Sequence, residues 1–199
     1  CRRADGPGFR EIKNHAVSPD LFIPANLYEF LKENSRKAWN NLLKKSEYNG
    51  EEQKLLRAIM DMISEKIEAS ANVAIFLNKN RTITFEGETL QLIYVSGSEL
   101  RGDEDFNKNI FAAVEEMSYS FHHDAKKIFA FRPDLSFFVN GIFLGYAELK
   151  SNFTNQTAKT NGRNKIITDY LEAVWEYTKI ANGNDVSQTL RRRMLRPFE

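Results

Sequence analysis

Apolar residues recur at intervals of three and four in two stretches of the first third of the chain, and the period then shortens toward two. Leu27, Phe30, Leu31, Ala38, Leu42 and Leu43 fall on roughly one face of a helix over about 27–45. Asn26 is placed to cap it, with Glu29 three positions on completing a capping-box-like pattern. Asn49-Gly50 breaks the period, and Leu55, Leu56, Ile59, Met60, Ile63 and Ile67 build a second amphipathic stripe. Two helices packed together are therefore expected over 26–70. Residues 1 to about 23 hold Gly6, Pro7, Gly8 and Pro19 without a clear period, so they are expected to be irregular or partly edge-paired.

From Val73 the pattern turns toward strands. Val73 to Leu77 is a short apolar run, and Arg81–Phe85 with Thr89–Val95 flank Glu86-Gly87-Glu88 as a hairpin would. The acidic stretch 96–107 lacks the Asp-x-Asp-x-Asp-Gly spacing of a Ca²⁺ loop and reads as a solvated loop. Residues 110–121 fit a helix through Ile110, Ala113, Val114, Met117 and Phe121, and a strand through Phe111, Ala113, Met117, Tyr119 and Phe121. We read strand, interrupted by Glu115 as a strand-edge charge or a supporting acid. His122-His123-Asp124 reads as a polar turn rather than a zinc site, because adjacent side chains of an extended chain point opposite ways and the third histidine, His15, is over 100 positions away. A polar loop, 151–162, precedes a helix marked by Ile166, Ile167, Tyr170, Leu171, Val174, Trp175 and Thr178, which Asn182-Gly183-Asn184 ends.

The chemistry concentrates in 131–150. Two apolar, β-prone runs meet at Asn140-Gly141, a strong signal for a hairpin because both residues tolerate positive φ. Asp134, Glu148 and Lys150 stand where that hairpin begins and ends, charges at the margin of strands apolar on both faces. Such charges are costly unless paired or bound to a metal. A plain two-residue turn pairs Asp134 with Ala147 and leaves Asp134 and Glu148 on opposite faces. For the three charges to form one site, the loop must be odd in length or a bulge must intervene. Two carboxylates and an ammonium on one face suit phosphodiester hydrolysis: the carboxylates can hold Mg²⁺, and Lys150 can position water or offset charge building on the phosphate.

Pro133-Asp134, thirteen intervening residues and Glu148-Leu149-Lys150 resemble the PD-(D/E)xK nuclease signature. The fuller string, Arg-Pro-Asp-Leu-Ser-Phe-Phe-Val-Asn-Gly-Ile ending in Ala-Glu-Leu-Lys, is similar to the N-terminal nuclease domain of type I restriction enzyme R (motor) subunits. The resemblance implies an α/β fold, a restriction-endonuclease-like mixed β-sheet flanked by helices, with the N-terminal helical pair beside it. It implies catalysis by Asp134, Glu148 and Lys150, and a Mg²⁺ site formed by Asp134, Glu148 and the Leu149 backbone carbonyl. That family also carries Gln-x-x-x-Tyr on the helix after the Glu-x-Lys strand. Tyr170 matches the Tyr and fits a core aromatic equally well; the Gln position is Ile166, with Arg163, Asn164 and Lys165 as possible substitutes. Lys159, Arg163, Lys165 and Tyr170 are the expected DNA contacts, directed at phosphates without sequence choice.

Composition changes little in this picture. The chain of 199 residues is 42% hydrophobic and 28% charged, with a formal net charge of +1, so any DNA surface must come from local clustering. One cysteine, Cys1, excludes an intrachain disulfide and a multi-Cys metal site. No apolar run is of membrane-span length and the start lacks a signal-peptide core, so a cytoplasmic protein is expected. The start without Met and the ending in Arg-Pro-Phe-Glu read as a fragment of a longer chain: one nuclease domain over 1–199, with a helical part over 26–70 and an α/β core over 73–182. No Gly-Lys-Ser/Thr phosphate loop occurs, so ATP is expected only through a motor domain outside these residues. The expected partners are double-stranded DNA and the methyltransferase and specificity subunits of a restriction-modification complex. Two other readings stand beside this one: another PD-(D/E)xK nuclease, of repair or modification-dependent type, and a non-catalytic nuclease-like DNA-binding module.

Overall fold

The computed structural model of the chain describes residues 8–70, 72–95, 102–123 and 126–149. Its helical layer is longer and more broken than the apolar stripes imply. Helix α1 (Pro24–Asn34) starts on Pro24, whose fixed φ and missing N–H suit the first helical position, so Asn26 lies buried inside the first turn and caps nothing. The expected single helix over 27–45 is split at Ser35, after which α2 (Arg36–Leu43) begins. The Ser35 hydroxyl accepts a hydrogen bond from the Gln91 backbone N–H at 2.8 Å, tying this break to the strand that Gln91 ends, and Ser35 itself leaves helical geometry at φ −135°. Helix α3 (Glu52–Ala69) buries Leu55, Ile59, Met60, Ile63 and Ile67 as the stripe requires.

The apolar run from Val73 to Leu77 belongs to a fourth helix, α4 (Val73–Lys79), and not to a strand. Asn72 caps it by accepting from the Ile75 N–H at 2.8 Å, and Val73, Phe76 and Leu77 turn inward at helical spacing. Helices therefore run in succession from Pro24 to Lys79, and strands resume at Thr82. Strands β2 (Thr82–Phe85) and β3 (Glu88–Gln91) form the expected hairpin, turned by Glu86 and Gly87 at φ 47° and 85°. In the acidic stretch read as a loop, Gly102–Phe106 forms a short helix, α5.

The segment 110–121 is strand, as read, but in two pieces. Strand β4 (Phe111–Glu115) ends where Glu116 adopts φ 45°, and β5 (Tyr119–His123) pairs with β6 (Lys126–Phe131) in a separate two-stranded sheet. The backbone of His122 and His123 lies in β5; the turn after it lies outside the described residues. The main sheet has the order β1-β4-β7-β8, with β7 (Leu135–Val139) and β8 (Ile142–Ala147) antiparallel and β1 (Arg10–Glu11) parallel to β4. It is thus a mixed sheet flanked by helices, of the restriction-endonuclease-like class, and the N-terminal stretch is edge-paired in part.

The tip of the β7–β8 hairpin joins sheet to helices. Asn140 and Gly141 take φ 49° and 80°, and the Gly141 carbonyl accepts from the Ile23 N–H at 2.8 Å, just before α1. A Cβ on Gly141 would stand 2.4 Å from the Ile23 carbonyl oxygen and 2.7 Å from the Leu27 nitrogen, both backbone atoms, whereas one on Gly87 would meet nothing within 4 Å. Both glycines have the left-handed conformation, which costs an L-residue about 1–2 kcal/mol. Gly87→Ala should therefore lower stability by about that amount, and Gly141→Ala by about 1–3 kcal/mol more, the cost of overpacking. Equal shifts in the urea midpoints of the two variants would mean that the tip is not packed on α1.

Candidate active site

The other end of this hairpin carries the charges, five residue pairs from the tip. The register runs Val139↔Ile142, Phe138↔Phe143, Phe137↔Gly145, Ser136↔Tyr146, Leu135↔Ala147. The loop is thus the two-residue turn, and a β-bulge between Phe137 and Phe138 makes Leu144, 40% exposed, the extra residue. Without the bulge the parity would separate the carboxylates; with it, the ladder carried one step past Leu135↔Ala147 sets Asp134 opposite Glu148 on one face. Of the two ways the sequence leaves open, the chain uses the bulge.

Asp134 sits in a bend at the start of β7 and is fastened at two points. Its backbone carbonyl accepts from the Glu116 N–H at 3.0 Å, and its Oδ2 accepts from the Leu149 N–H at 2.5 Å. The carboxylate therefore lies against the Glu148–Leu149 peptide. Glu148 is half-buried with Oε1 withdrawn from solvent, and Leu149 is 63% exposed. Away from the charges, the same face is a closed apolar wall: Ala112, Val114, Phe138 and Phe143 are buried, and the Phe138 and Phe143 rings meet edge-on at 5.5 Å. The opposite face is buried only near the tip, and Phe9 packs its ring against Phe111 and Phe137 there, so the strands are not covered equally on both sides. Glu115 is opposite Leu135 and so lies on the face turned away from Asp134 and Glu148, which removes it as a supporting acid.

Three residues at this end had been given no role from the sequence. Ser136, two positions from Asp134 and on its face, is fully buried with its hydroxyl unpartnered. Glu116 and Arg132 form an exposed ion pair at 2.6 Å, next to Asp134 through the Glu116 amide. Adjacency of Arg132 to Pro133-Asp134 was the only signal available.

The donor set near Asp134 is made of oxygens: two carboxylates, the carbonyl of Leu149, which follows Glu148 in the chain and whose N–H bonds Asp134, and the buried Ser136 hydroxyl further in. Hard divalent cations such as Mg²⁺ prefer such ligands. Among the described residues no group of three or more His, Cys, Asp or Glu side chains could hold a metal, so a centre here would rest on the carboxylate pair and backbone oxygen. Lys150, Lys159, Arg163, Lys165 and Tyr170, and Ile166 at the Gln position, lie outside the described residues.

A cleft of about 470 Å³ lies elsewhere, between the first turns of α1 and α3, lined among others by Pro24, Ala25, Glu52, Leu56, Arg57 and Met60. Its charges are already engaged: Arg57 pairs with Asp20 and Asp61 at 2.8 and 2.9 Å. The Tyr28 hydroxyl, and after it the Lys32 ammonium, hold Glu52 below the usual carboxylate range, which unfits it for proton transfer near neutral pH. No helix among the described residues is long and apolar enough to cross a membrane.

In comparison with known families, residues 13–187 match the model of the type I restriction enzyme R protein N terminus. No curated protein and no solved structure matches the chain.

Proposed function

The chain belongs to the family of type I restriction enzyme R protein N termini, and from that premise we propose that it is a Mg²⁺-dependent endonuclease domain hydrolysing phosphodiester bonds of double-stranded DNA. The observation that carries this reading is the bulged β7–β8 hairpin, which turns Asp134 and Glu148 to one face and bonds Asp134 to the Leu149 amide. Asp134, Glu148 and the Leu149 carbonyl would hold the metal. When bound, the cation supplies charge neutralisation at a phosphoryl oxygen and a more acidic water. Asp134 keeps Oδ1 available while Oδ2 is held by the Leu149 N–H, so its carboxylate is oriented before any ligand arrives. The apolar wall of Val114, Phe138 and Phe143 excludes water from one side and strengthens every charge interaction at the rim. Lys150 offsets charge building on the phosphate, and Lys159, Arg163, Lys165 and Tyr170 contact the DNA backbone.

In the assembled system, a motor domain hydrolyses ATP, and methyltransferase and specificity subunits choose the site. The test is Mn²⁺ binding to the full chain without nucleotide, read by electron paramagnetic resonance. Asp134→Ala and Glu148→Ala should each lose one bound ion, and Lys150→Ala should retain it. Unchanged stoichiometry in both carboxylate variants would remove the metal from this site.

A further inference from the structure

We propose that Arg132 is a phosphate-contact residue of this site, held on Glu116 until DNA displaces it. The inference rests on the nuclease reading above. Among the described side chains of residues 115–149, Arg132 is the only Arg or Lys; it pairs with Glu116, whose backbone N–H bonds the Asp134 carbonyl, and Asp134 in turn accepts from the Leu149 N–H. A polyanion approaching these carboxylates needs a cation that can be given up by its present partner. Arg132 meets that need: its side chain is 63% exposed, and only one nitrogen of its guanidinium, the Nη2, is engaged, on Glu116 Oε2 at 2.6 Å. The fork that suits a phosphate oxygen pair remains open.

Position argues the same way. Buried Pro133 sets the backbone between Arg132 and Asp134, and the Glu116 N–H bonds to the Asp134 carbonyl at 3.0 Å, so the place where Glu116 holds the guanidinium is fixed relative to Asp134. Glu116 is itself 67% exposed, and an ion pair of this kind contributes little to stability. Exchange of its carboxylate for a DNA phosphate is therefore nearly free, and leaves Arg132 beside the scissile region.

The experiment measures equilibrium binding of the full chain to a short linear duplex, with Ca²⁺ in place of Mg²⁺ and no nucleotide, across a salt series. Arg132→Ala should weaken binding and lower the slope of log K against log salt by about 1, the signature of one lost phosphate contact. Arg132→Lys should restore the slope, since charge alone sets it. Glu116→Gln should tighten binding by up to about fivefold, the scale of an exposed ion pair. An unchanged slope in Arg132→Ala would overturn the proposal. So would equal losses of thermal stability and cleavage in Arg132→Ala and Glu116→Gln with DNA binding unmoved, because the pair would then only brace Asp134. Cleavage that survived Asp134→Ala would remove the nuclease reading, while a lowered slope in Arg132→Ala would still support the phosphate contact.

Discussion

Asp134→Ala or Glu148→Ala should abolish DNA cleavage by the assembled enzyme, by about a thousandfold or more, the scale of the several kcal/mol a bound cation supplies at a phosphoryl oxygen. The fold should survive. Asp134→Ala frees the Leu149 N–H, but Leu149 is exposed and water can take the bond, so the cost is about 1 kcal/mol. The hairpin keeps its register, because the bulge at Leu144 and the turn at Asn140-Gly141 do not involve the carboxylates. Lys150→Ala should also abolish cleavage, with the metal retained. Since the three groups would act as a unit, the Asp134→Ala, Glu148→Ala double variant should be scarcely slower than either single one. ATP-driven movement along DNA, measured in parallel by strand displacement, should continue in all of them. The opposite result, near-normal cleavage by Glu148→Ala with movement lost, would make this a DNA-engaging module of the motor and not its nuclease.

The site's logic was legible because strand parity is strict. The need for an odd-length loop or a bulge follows from placing Asp134 and Glu148 on one face, and the structure supplies the bulge, at Leu144, next to Gly145, a residue type that often marks a bulge within a strand. The stripe of α3 and the Glu86-Gly87 hairpin were equally plain, since several residues agree on one period. Elsewhere the local signal was weak or competed with another. Val73–Leu77 is apolar without a polar face, so its period could not be read, and the decisive residue was Asn72, a cap outside the run. Pro24 and Asn26 both mark a helix start, and proline prevailed because its φ is fixed while an asparagine side chain can simply be buried. The ending of β4 depends on a positive φ at Glu116, a residue with no preference for it; the conformation is held by the bond from its N–H to Asp134. Partners such as Arg132 and Glu116, sixteen positions apart, belong to tertiary structure and leave no periodic trace.

The hairpin tip held a second role that turn chemistry alone does not show, and the expected result of Asn140→Asp measures it. Asn140 is fully buried; its Oδ1 accepts from the Ile110 N–H at 2.7 Å, and its Nδ2 donates to the Leu92 carbonyl at 2.8 Å and to Asn109 Oδ1 at 2.9 Å. Asn109 in turn spans Tyr94, accepting from its N–H and donating to its carbonyl. Aspartate keeps the size and the tolerance of φ 49°, yet sets an oxygen against two acceptors and brings a charge into a site with no cation described beside it. At neutral pH the variant should lose about 3–5 kcal/mol, the cost of a broken buried polar pair. Burial raises the folded-state pKa of such a carboxyl above its unfolded value, near 3.9, so its neutral form is the one the fold tolerates. The stability it retains is fully present below the unfolded pKa and is lost as pH rises through the folded one. The deficit relative to the parent chain should therefore grow from acid to neutral pH, while Asn140→Ala, which leaves the same partners bare but adds no charge, should show a deficit independent of pH. Urea unfolding of both variants across that range decides it: a flat deficit in Asn140→Asp would mean that water reaches the tip, and that the network tying it to Leu92 and Asn109 does not hold the hairpin in register.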